Sequence, residues 1–293
     1  MDRFKKVKIA SILGIVCNVF LLIIKSGIGF ITNSQAMIAD AFNSASDIFS
    51  SVLTFVGNKI ATKPSDEDHN LGHGKAEYIY SMLISLFMIL MALVVFKDSF
   101  KSIVSKNNYD FSIWLIVVCI TTIIVKFSLY LYTHNLSKKY NNLLIEANSK
   151  DHRNDCFVTL STLIASILSL YKIYIFDGIV GMCIAIWMII EAFKIFKKSY
   201  DVLMDKSISK ELKERVYDII KSHEEVKKVI HFNSTPVGYK YQISFTIYVD
   251  GNMSTFKSHE IADKLEKEID KKIDEIYLTV IHVNPIELNK QKI

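Results

Sequence analysis

The sequence predicts an α-helical membrane domain of six transmembrane helices, followed by a C-terminal cytoplasmic α+β domain with the element order α-β-β-α-β. Three observations support this fold class. The 293 residues are 51% hydrophobic with a mean hydropathy of +0.27, which is too apolar for an ordinary soluble chain. The apolar residues occur in blocks long enough to cross a bilayer. From about residue 206 the hydrophobicity falls, so we place the domain boundary between residues 1–205 and 206–293.

Charge, cysteine content and motifs exclude several classes of protein. The net charge of +5 is distributed over helix ends and the last third of the chain, which does not indicate a nucleic-acid partner. All four cysteines lie inside apolar segments without paired spacing, which argues against disulfides and against a Cys-ligated zinc site. The sequence has no Gly-rich phosphate loop, zincin motif or nucleophile set, so we do not expect an enzyme.

Six apolar segments are predicted as transmembrane helices, which makes the lipid bilayer a partner of the chain. They cover residues 9–31, 36–61, 78–104, 111–132, 143–170 and 179–196. Six spans put both termini on the same side of the membrane. The termini and the loops on their side carry more Lys and Arg than the opposite loops, which predicts cytoplasmic termini. We therefore expect a multi-pass protein of the cell membrane.

The last 88 residues or so alternate between amphipathic and extended patterns. We predict helices over residues 209–222 and 255–273, and strands over residues 226–232, 239–249 and 276–283. A turn is predicted at residues 235–238, where Pro and Gly occur together. Together these elements predict one sheet with two helices on one face. A domain of this size buries a modest core, so dimerisation would help to stabilise it.

Acidic residues recur at helical spacing within two of the predicted spans. Asp40, Asn43 and Asp47 share one face of the second span, and Asp151 and Asp155 share one face of the fifth. Ionisable groups inside a membrane are costly and by default indicate a functional site. Protons or a divalent cation must neutralise such carboxylates, and exchange between the two is itself a mechanism. A position near the membrane interface explains Asp40 equally well.

Other polar residues give weaker indications. Asp66, His69 and His73 lie within one short loop and predict a second metal site, although a solvated loop explains them equally well. The soluble domain contains the scattered residues His231, His259 and His282, a distribution that is more typical of surface histidines than of ligands. Three further ionisable residues lie in predicted spans, without a partner that the sequence can assign: Lys25, Lys126 and Glu191.

Three segments together resemble the cation diffusion facilitator family. They are Met-Ile-Ala-Asp-Ala-Phe-Asn-Ser-Ala-Ser-Asp at residues 37–47, Gly-His-Gly-Lys-Ala-Glu at 72–77 and Asp-His-Arg-Asn-Asp at 151–155. The resemblance covers nearly the whole chain and includes a metallochaperone-like cytoplasmic domain. It implies a homodimeric antiporter that exports divalent metal ions from the cytoplasm in exchange for H⁺ by alternating access, with no cofactor besides the transported metal.

The resemblance also implies a transport site and a choice of metal. The tetrahedral site of the family corresponds to Asn43, Asp47, Asp151 and Asp155 in this chain. Zinc-transporting members have His at the position of Asp151, whereas here His152 is displaced by one residue and turned by about 100° on a helix. The pattern resembles the manganese-transporting branch, and an all-oxygen site suits Mn²⁺. Transport of Zn²⁺, Fe²⁺ or Co²⁺ and a non-transporting metal sensor remain alternatives.

Further family features correspond to residues of this chain. The family's loop site corresponds to Asp66, His69 and His73, and its cytoplasmic-domain site to His231, His259 and His282. In the cytoplasmic-domain site, Ser244 and Asn284 stand where a His and an Asp are usual, which argues against a full binuclear centre there. An interlocking salt bridge of the family corresponds to Lys75 and Asp205.

Overall fold

The computed structural model describes residues 2–31, 35–105, 113–169 and 175–286 of the chain. Contacts within the chain divide it into two units. The helical unit contains Met1–Lys63 and Ala76–Tyr200, and the C-terminal unit contains Pro64–Lys75 and Asp201–Ile293. The loop that connects the second and third helices therefore belongs to the C-terminal unit.

The helical unit contains six long helices in the part of the chain that the structure describes. They are α1 (Asp2–Ile31), α2 (Gln35–Ala61), α3 (Ala76–Ser105), α4 (Ile113–Tyr140), α5 (Leu143–Ser169) and α6 (Ile175–Leu203). Each predicted apolar segment forms a helix, although α1 begins earlier and α4 and α6 end later than predicted. The segments at these ends mix apolar with charged residues, and they continue the helices beyond the apolar segments.

Four of these helices have the length and composition of membrane spans. Among the described residues, α1, α3, α4 and α6 meet this criterion, whereas α2 and α5 do not. Polar and charged side chains interrupt the apolar sequence of α2 and α5, and these are the two helices that carry the acidic pairs. The helical membrane domain is thus present, while the number of six spans stays a prediction.

The helical unit has an apolar surface and a partly polar interior. Exposed side chains include Ile23, Phe30, Leu90, Ile124 and Phe193. The buried side chains include many small or polar ones, among them Ser11, Asn18, Ser51, Thr54, Ser81, Ser85 and Asn148. An apolar exterior around small and polar interfacial residues is typical of helices that pack together in lipid.

A buried ion pair joins the N-terminal ends of α1 and α3. Arg3 Nη2 donates to both carboxylate oxygens of Glu77, at 2.9 and 2.7 Å. The backbone N–H of Leu143, at the start of α5, donates to Glu77 Oε1 at 2.9 Å, and Arg3 Nε donates to the carbonyl oxygen of Tyr140 at 3.1 Å. One carboxylate and one guanidinium therefore fix the ends of four helices relative to one another.

The C-terminal unit contains a three-stranded sheet and two helices. Its elements are α7 (Lys210–Lys221), β1 (Lys228–Val237), β2 (Lys240–Asp250), α8 (Thr255–Lys272) and β3 (Ile276–Ile286). The sheet has the order β1-β2-β3, with β1 antiparallel and β3 parallel to β2. The predicted order α-β-β-α-β is thus observed, and α8 provides the crossover that a parallel pair of strands requires.

Both helices of this domain pack on one face of the sheet. Alternate residues of β2, namely Ile243, Phe245, Ile247 and Val249, are buried in a core with Val216 of α7 and Leu265 and Ile269 of α8. The N-cap of α7 is Ser209, whose hydroxyl accepts a hydrogen bond from the Leu212 N–H at 3.1 Å. Period-two burial in the strand and capped amphipathic helices explain why the sequence predicts these elements.

The turn predicted at residues 235–238 was placed too early. Strand β1 continues to Val237, and the chain reverses at Gly238, which has a φ of 61°. Pro236 is compatible with the strand because β1 is an edge strand, where a missing N–H leaves no interior ladder bond unmade. Glycine, rather than proline, sets the position of this turn.

Gly57 allows a close contact between α2 and α3. A Cβ atom added at this position would lie 2.6 Å from the Tyr80 Cβ, whereas one added at Gly27 would meet no atom within 4 Å. We expect Gly57→Ala to destabilise the protein by about 1–3 kcal/mol through overpacking. The matched change Gly27→Ala should leave stability unchanged or raise it by up to about 1 kcal/mol. Thermal unfolding of the two purified variants in detergent tests this contrast, and equal midpoints would contradict it.

Candidate metal centres

Three carboxylates from two helices meet inside the helical unit. The ligand oxygens of Asp47 on α2 and of Asp151 and Asp155 on α5 lie within 4.8 Å of one another. Asp47 and Asp151 are buried, and the Asp155 side chain is 13% exposed. The spacing of four residues on α5 places its two carboxylates one turn apart on the same face, and α2 contributes the third.

A buried lysine contacts this cluster from a third helix. Lys126 on α4 is 1% exposed, and its Nζ donates to Asp47 Oδ2 at 2.5 Å and to Asp155 Oδ2 at 2.6 Å. Sequence reasoning placed Lys126 in a span but assigned it no partner. The available signal was the lysine in an otherwise apolar stretch of a predicted span, but its partners lie 79 and 29 residues away in sequence.

The charge of the cluster is suited to a divalent cation. When all groups are ionised, three carboxylates and one ammonium leave an excess of two negative charges. One oxygen of Asp151, Oδ2, is buried and has no hydrogen-bond partner in the described part of the chain. A buried, unpaired carboxylate oxygen is costly, and coordination of a cation would satisfy it.

The other predicted residues of the transport site occupy different positions. Asn43 lies on α2 one turn before Asp47 and is partly buried, and Asp40 lies a further three residues before it, with its side chain outside the described residues. His152 is fully buried beside Gly14 of α1, and it is not one of the residues whose ligand atoms come together. The oxygens that come together in this cluster therefore all belong to carboxylates.

A second group of metal-ligating side chains lies in the loop of the C-terminal unit. Potential ligand atoms of Asp66, His69 and His73 lie within 4.8 Å of one another. The Asp66 carboxylate contacts His69 Nδ1 at 3.1 Å and His73 Nε2 at 3.5 Å. The Nδ1 of His73 lies 3.2 Å from the carbonyl oxygen of Pro64, a contact that orients the ring with Nε2 toward Asp66.

The Asp66 carboxylate is held in its ionised form. Slight desolvation raises the pKa of Asp66, but hydrogen bonds from the backbone and side chain of His69, together with the charges of His73 and His69, lower it below its ordinary value. The backbone N–H of His69 contributes one of these bonds at 2.7 Å. The carboxylate therefore stays ionised at neutral pH, which is the form that binds metal.

Contacts within the C-terminal unit hold this loop against the sheet domain. Lys75 Nζ lies 2.7 Å from Asp205 Oδ1, which is the pair implied by the family resemblance. Beside it, a Cβ atom added at Gly74 would lie 2.7 Å from the Cα of Gly238, so the two backbones approach closely. Glycine is required on both sides of this contact.

The three histidines predicted for the cytoplasmic site are not brought together. Across residues 2–31, 35–105, 113–169 and 175–286, only the two groups described above have three potential ligands in reach of one another. His259 lines a cavity of about 350 Å³ together with Asp250 and Asn284, but His231 and His282 do not line it. His231 lies at an irregularity of β1 with a φ of 54°. A role of these three histidines in binding metal therefore stays a prediction.

An apolar helical surface around buried carboxylates is typical of an integral membrane protein that binds cations. Sequence comparison identifies the class more closely. Residues 11–204 match the family described as the cation efflux transmembrane domain, and residues 208–286 match the cation efflux protein cytoplasmic domain. The chain belongs to the cation efflux, or cation diffusion facilitator, family of divalent cation transporters.

Individual relatives are distant, and two of them match over nearly the full length of the chain. The manganese efflux system protein MneP of Bacillus subtilis is 26% identical, with 94% of this chain and 95% of that protein covered. The manganese efflux system protein MneS of the same organism is 27% identical, with 98% of each chain covered. A crystal structure of the cytosolic domain of a cation diffusion facilitator family protein is 30% identical and covers 26% of this chain and 90% of that chain, with a TM-score of 0.25.

Proposed function

We propose that this protein exports Mn²⁺ from the cytoplasm in exchange for protons, and that Asn43, Asp47, Asp151 and Asp155 bind the transported ion. The observation that carries the proposal is the meeting of three carboxylates from α2 and α5 inside the helical unit. In this proposal α2 and α5 complete a set of six spans, with both termini in the cytoplasm and the protein in the cell membrane.

The chemistry of the ligands supports manganese over zinc. Carboxylate and amide oxygens suit harder cations such as Mn²⁺, whereas zinc gains from imidazole. The one histidine near the cluster in sequence, His152, lies beside Gly14 and is not grouped with the carboxylates. The names of MneP and MneS, manganese efflux system proteins, point to the same metal.

The exchange of metal for protons follows from the location of the carboxylates. A cluster of like charges that is buried in an apolar bundle cannot stay ionised without compensation. Protons that bind to the carboxylates as the metal leaves would neutralise the cluster, and binding of a new metal ion would release these protons. The same groups thus serve both ions, which is the requirement for antiport.

The protein functions as a homodimer in this proposal, with the C-terminal unit as the dimerisation and regulatory part. The match of residues 208–286 to the cytoplasmic domain of cation efflux proteins supports this assignment. A small domain with a modest core gains stability from such association.

The transport site is tested by removing single carboxylates. We expect Asp47→Ala and Asp155→Ala to abolish Mn²⁺ flux into proteoliposomes, because each removes a charged ligand, while the protein stays folded. The control Asp98→Ala removes an exposed carboxylate of α3 outside the cluster and should keep the flux. Mn²⁺ transport by either cluster variant would refute the assignment of the site.

The choice of metal is tested at Asp151. We expect Asp151→His to shift the preference from Mn²⁺ toward Zn²⁺, because it replaces a carboxylate oxygen with an imidazole nitrogen. Competition between the two ions in the flux assay measures the ratio. An unchanged ratio would show that Asp151 does not set the selectivity.

One experiment separates this proposal from its alternatives. Flux of Mn²⁺, Zn²⁺, Fe²⁺ and Co²⁺ is compared across a fixed pH gradient, and the proposal requires that Mn²⁺ is transported best and that dissipation of the gradient slows it. Preference for another metal would favour a different substrate within the same family. Metal binding without flux would favour a membrane metal sensor.

We also propose that Asp66, His69 and His73 form a second metal site in the loop. To isolate it, the substitutions are made in an Asp47→Ala background, and Zn²⁺ is used as a probe because imidazole ligands suit this ion. His73→Ala should abolish one equivalent of binding, whereas His223→Ala, which changes a histidine that pairs with Glu268 outside the group, should not. Equal binding by both variants in calorimetric titrations would exclude the loop site.

A further inference from the structure

Lys126 occupies the same oxygens that a metal ion would use. Its ammonium contacts Asp47 Oδ2 at 2.5 Å and Asp155 Oδ2 at 2.6 Å, so it bridges the two helices that supply the carboxylates. The side chain is 1% exposed and comes from α4, which contributes no carboxylate to the cluster. A lysine in this apolar interior requires such partners, because burial of an unpaired ammonium is strongly unfavourable.

An ammonium and a divalent cation cannot both bind these oxygens without repelling each other. A metal ion bound to carboxylate oxygen lies about 2.2 Å from that oxygen, so it would stand within a few ångströms of an ammonium on the same atom. Like charges at this separation repel strongly in an interior of low dielectric constant. Binding of the metal therefore requires the ammonium to withdraw from at least one of the two oxygens.

A buried hydroxyl one helical turn from Lys126 is a candidate partner for the withdrawn ammonium. Thr122 lies one turn toward the N-terminus of α4, on the face of Lys126, and long helical side chains point in that direction. The Thr122 hydroxyl is buried and has no hydrogen-bond partner within the described residues, and the same holds for the hydroxyl of Ser44 on α2. The flexible four-carbon stem of lysine permits such a movement without movement of the helix.

We propose that Lys126 is a tethered cation that holds the transport site in the absence of metal and is displaced by the transported ion. This inference rests on the proposed function, because it takes the three carboxylates as the site of transport. Lys126 then sets the affinity of the site: it neutralises part of the carboxylate charge when no metal is bound, and its competition keeps metal binding weak enough for release. It is a determinant of affinity and not a ligand.

The affinity of the site for Mn²⁺ tests this inference directly. Calorimetric titration with MnCl₂ is carried out on the full-length protein in detergent, at mildly alkaline pH, where protons compete least for the carboxylates. The reference protein and all of its variants carry His73→Ala, so that the proposed loop site does not contribute to the titration. Lys126→Met removes the competing charge and keeps the apolar stem, so we expect the Kd for Mn²⁺ to fall by about tenfold or more. Lys126→Arg keeps the charge and should retain weak binding.

Two further measurements separate displacement from a structural role. Lys194→Met is the matched control, since it removes a lysine that pairs with Glu191 on α6 and does not contact the carboxylates; its Kd should stay at the wild-type value. The rise in the unfolding temperature on addition of Mn²⁺ should be larger for Lys126→Met than for the wild type, because its metal-free state has lost the internal counter-ion. If Lys126→Met cannot be purified, Lys126→Gln keeps a donor at the carboxylates without the charge.

The outcomes distinguish this inference from the site assignment. A Kd for Lys126→Met equal to or above that of the wild type, with binding lost in Asp47→Ala, would overturn the displacement by metal and leave the transport site intact. Binding that is unchanged in both variants would overturn the site and the inference together. Tighter binding in Lys126→Met and in Lys126→Gln, with weak binding in Lys126→Arg, would support a displaced cation.

Discussion

The mutual repulsion of three buried carboxylates is the constraint on which the helical unit depends. Asp47, Asp151 and Asp155 approach within 4.8 Å in an interior that solvates charge poorly, so a cation must accompany them. In the structure the ammonium of Lys126 accompanies them and offsets one of the three charges. The two helices that carry the carboxylates are the two whose composition is least suited to lipid, and α4 supplies the compensating charge.

The remainder of the helical unit supports this polar interior. Small and hydroxyl-bearing residues fill the helix interfaces, and the bidentate pair of Arg3 and Glu77 fixes the ends of α1 and α3 and the start of α5. In lipid, such close packing and polar contacts hold helices together in place of the hydrophobic effect. A defined bundle keeps the carboxylates at a spacing where one small ion can contact all of them.

The C-terminal unit combines a conventional core with a loop taken from between α2 and α3. The loop is held by the ion pair of Lys75 and Asp205 and by the close approach of Gly74 and Gly238, and it presents Asp66, His69 and His73 at one place. The loop directly follows α2, the helix that carries Asp47, in the sequence. Side chains of the types that bind metal ions thus come together in both units of the chain.

Local periodicity in the sequence determined the helices, the strands and the acidic pairs, because these depend on spacings of two, three and four residues. The family resemblance, and not periodicity, implied that Asn43, Asp47, Asp151 and Asp155 form one site. Helical geometry placed His152 about 100° away from Asp151 around the helix axis. Tertiary structure alone decided the partners of Lys126 and the end of β1 at Val237. It also decided that, within the described residues, His231, His259 and His282 do not form one group of ligands. These features depend on which helices and strands become neighbours, and contacts between residues far apart in the chain leave no periodic trace in the sequence.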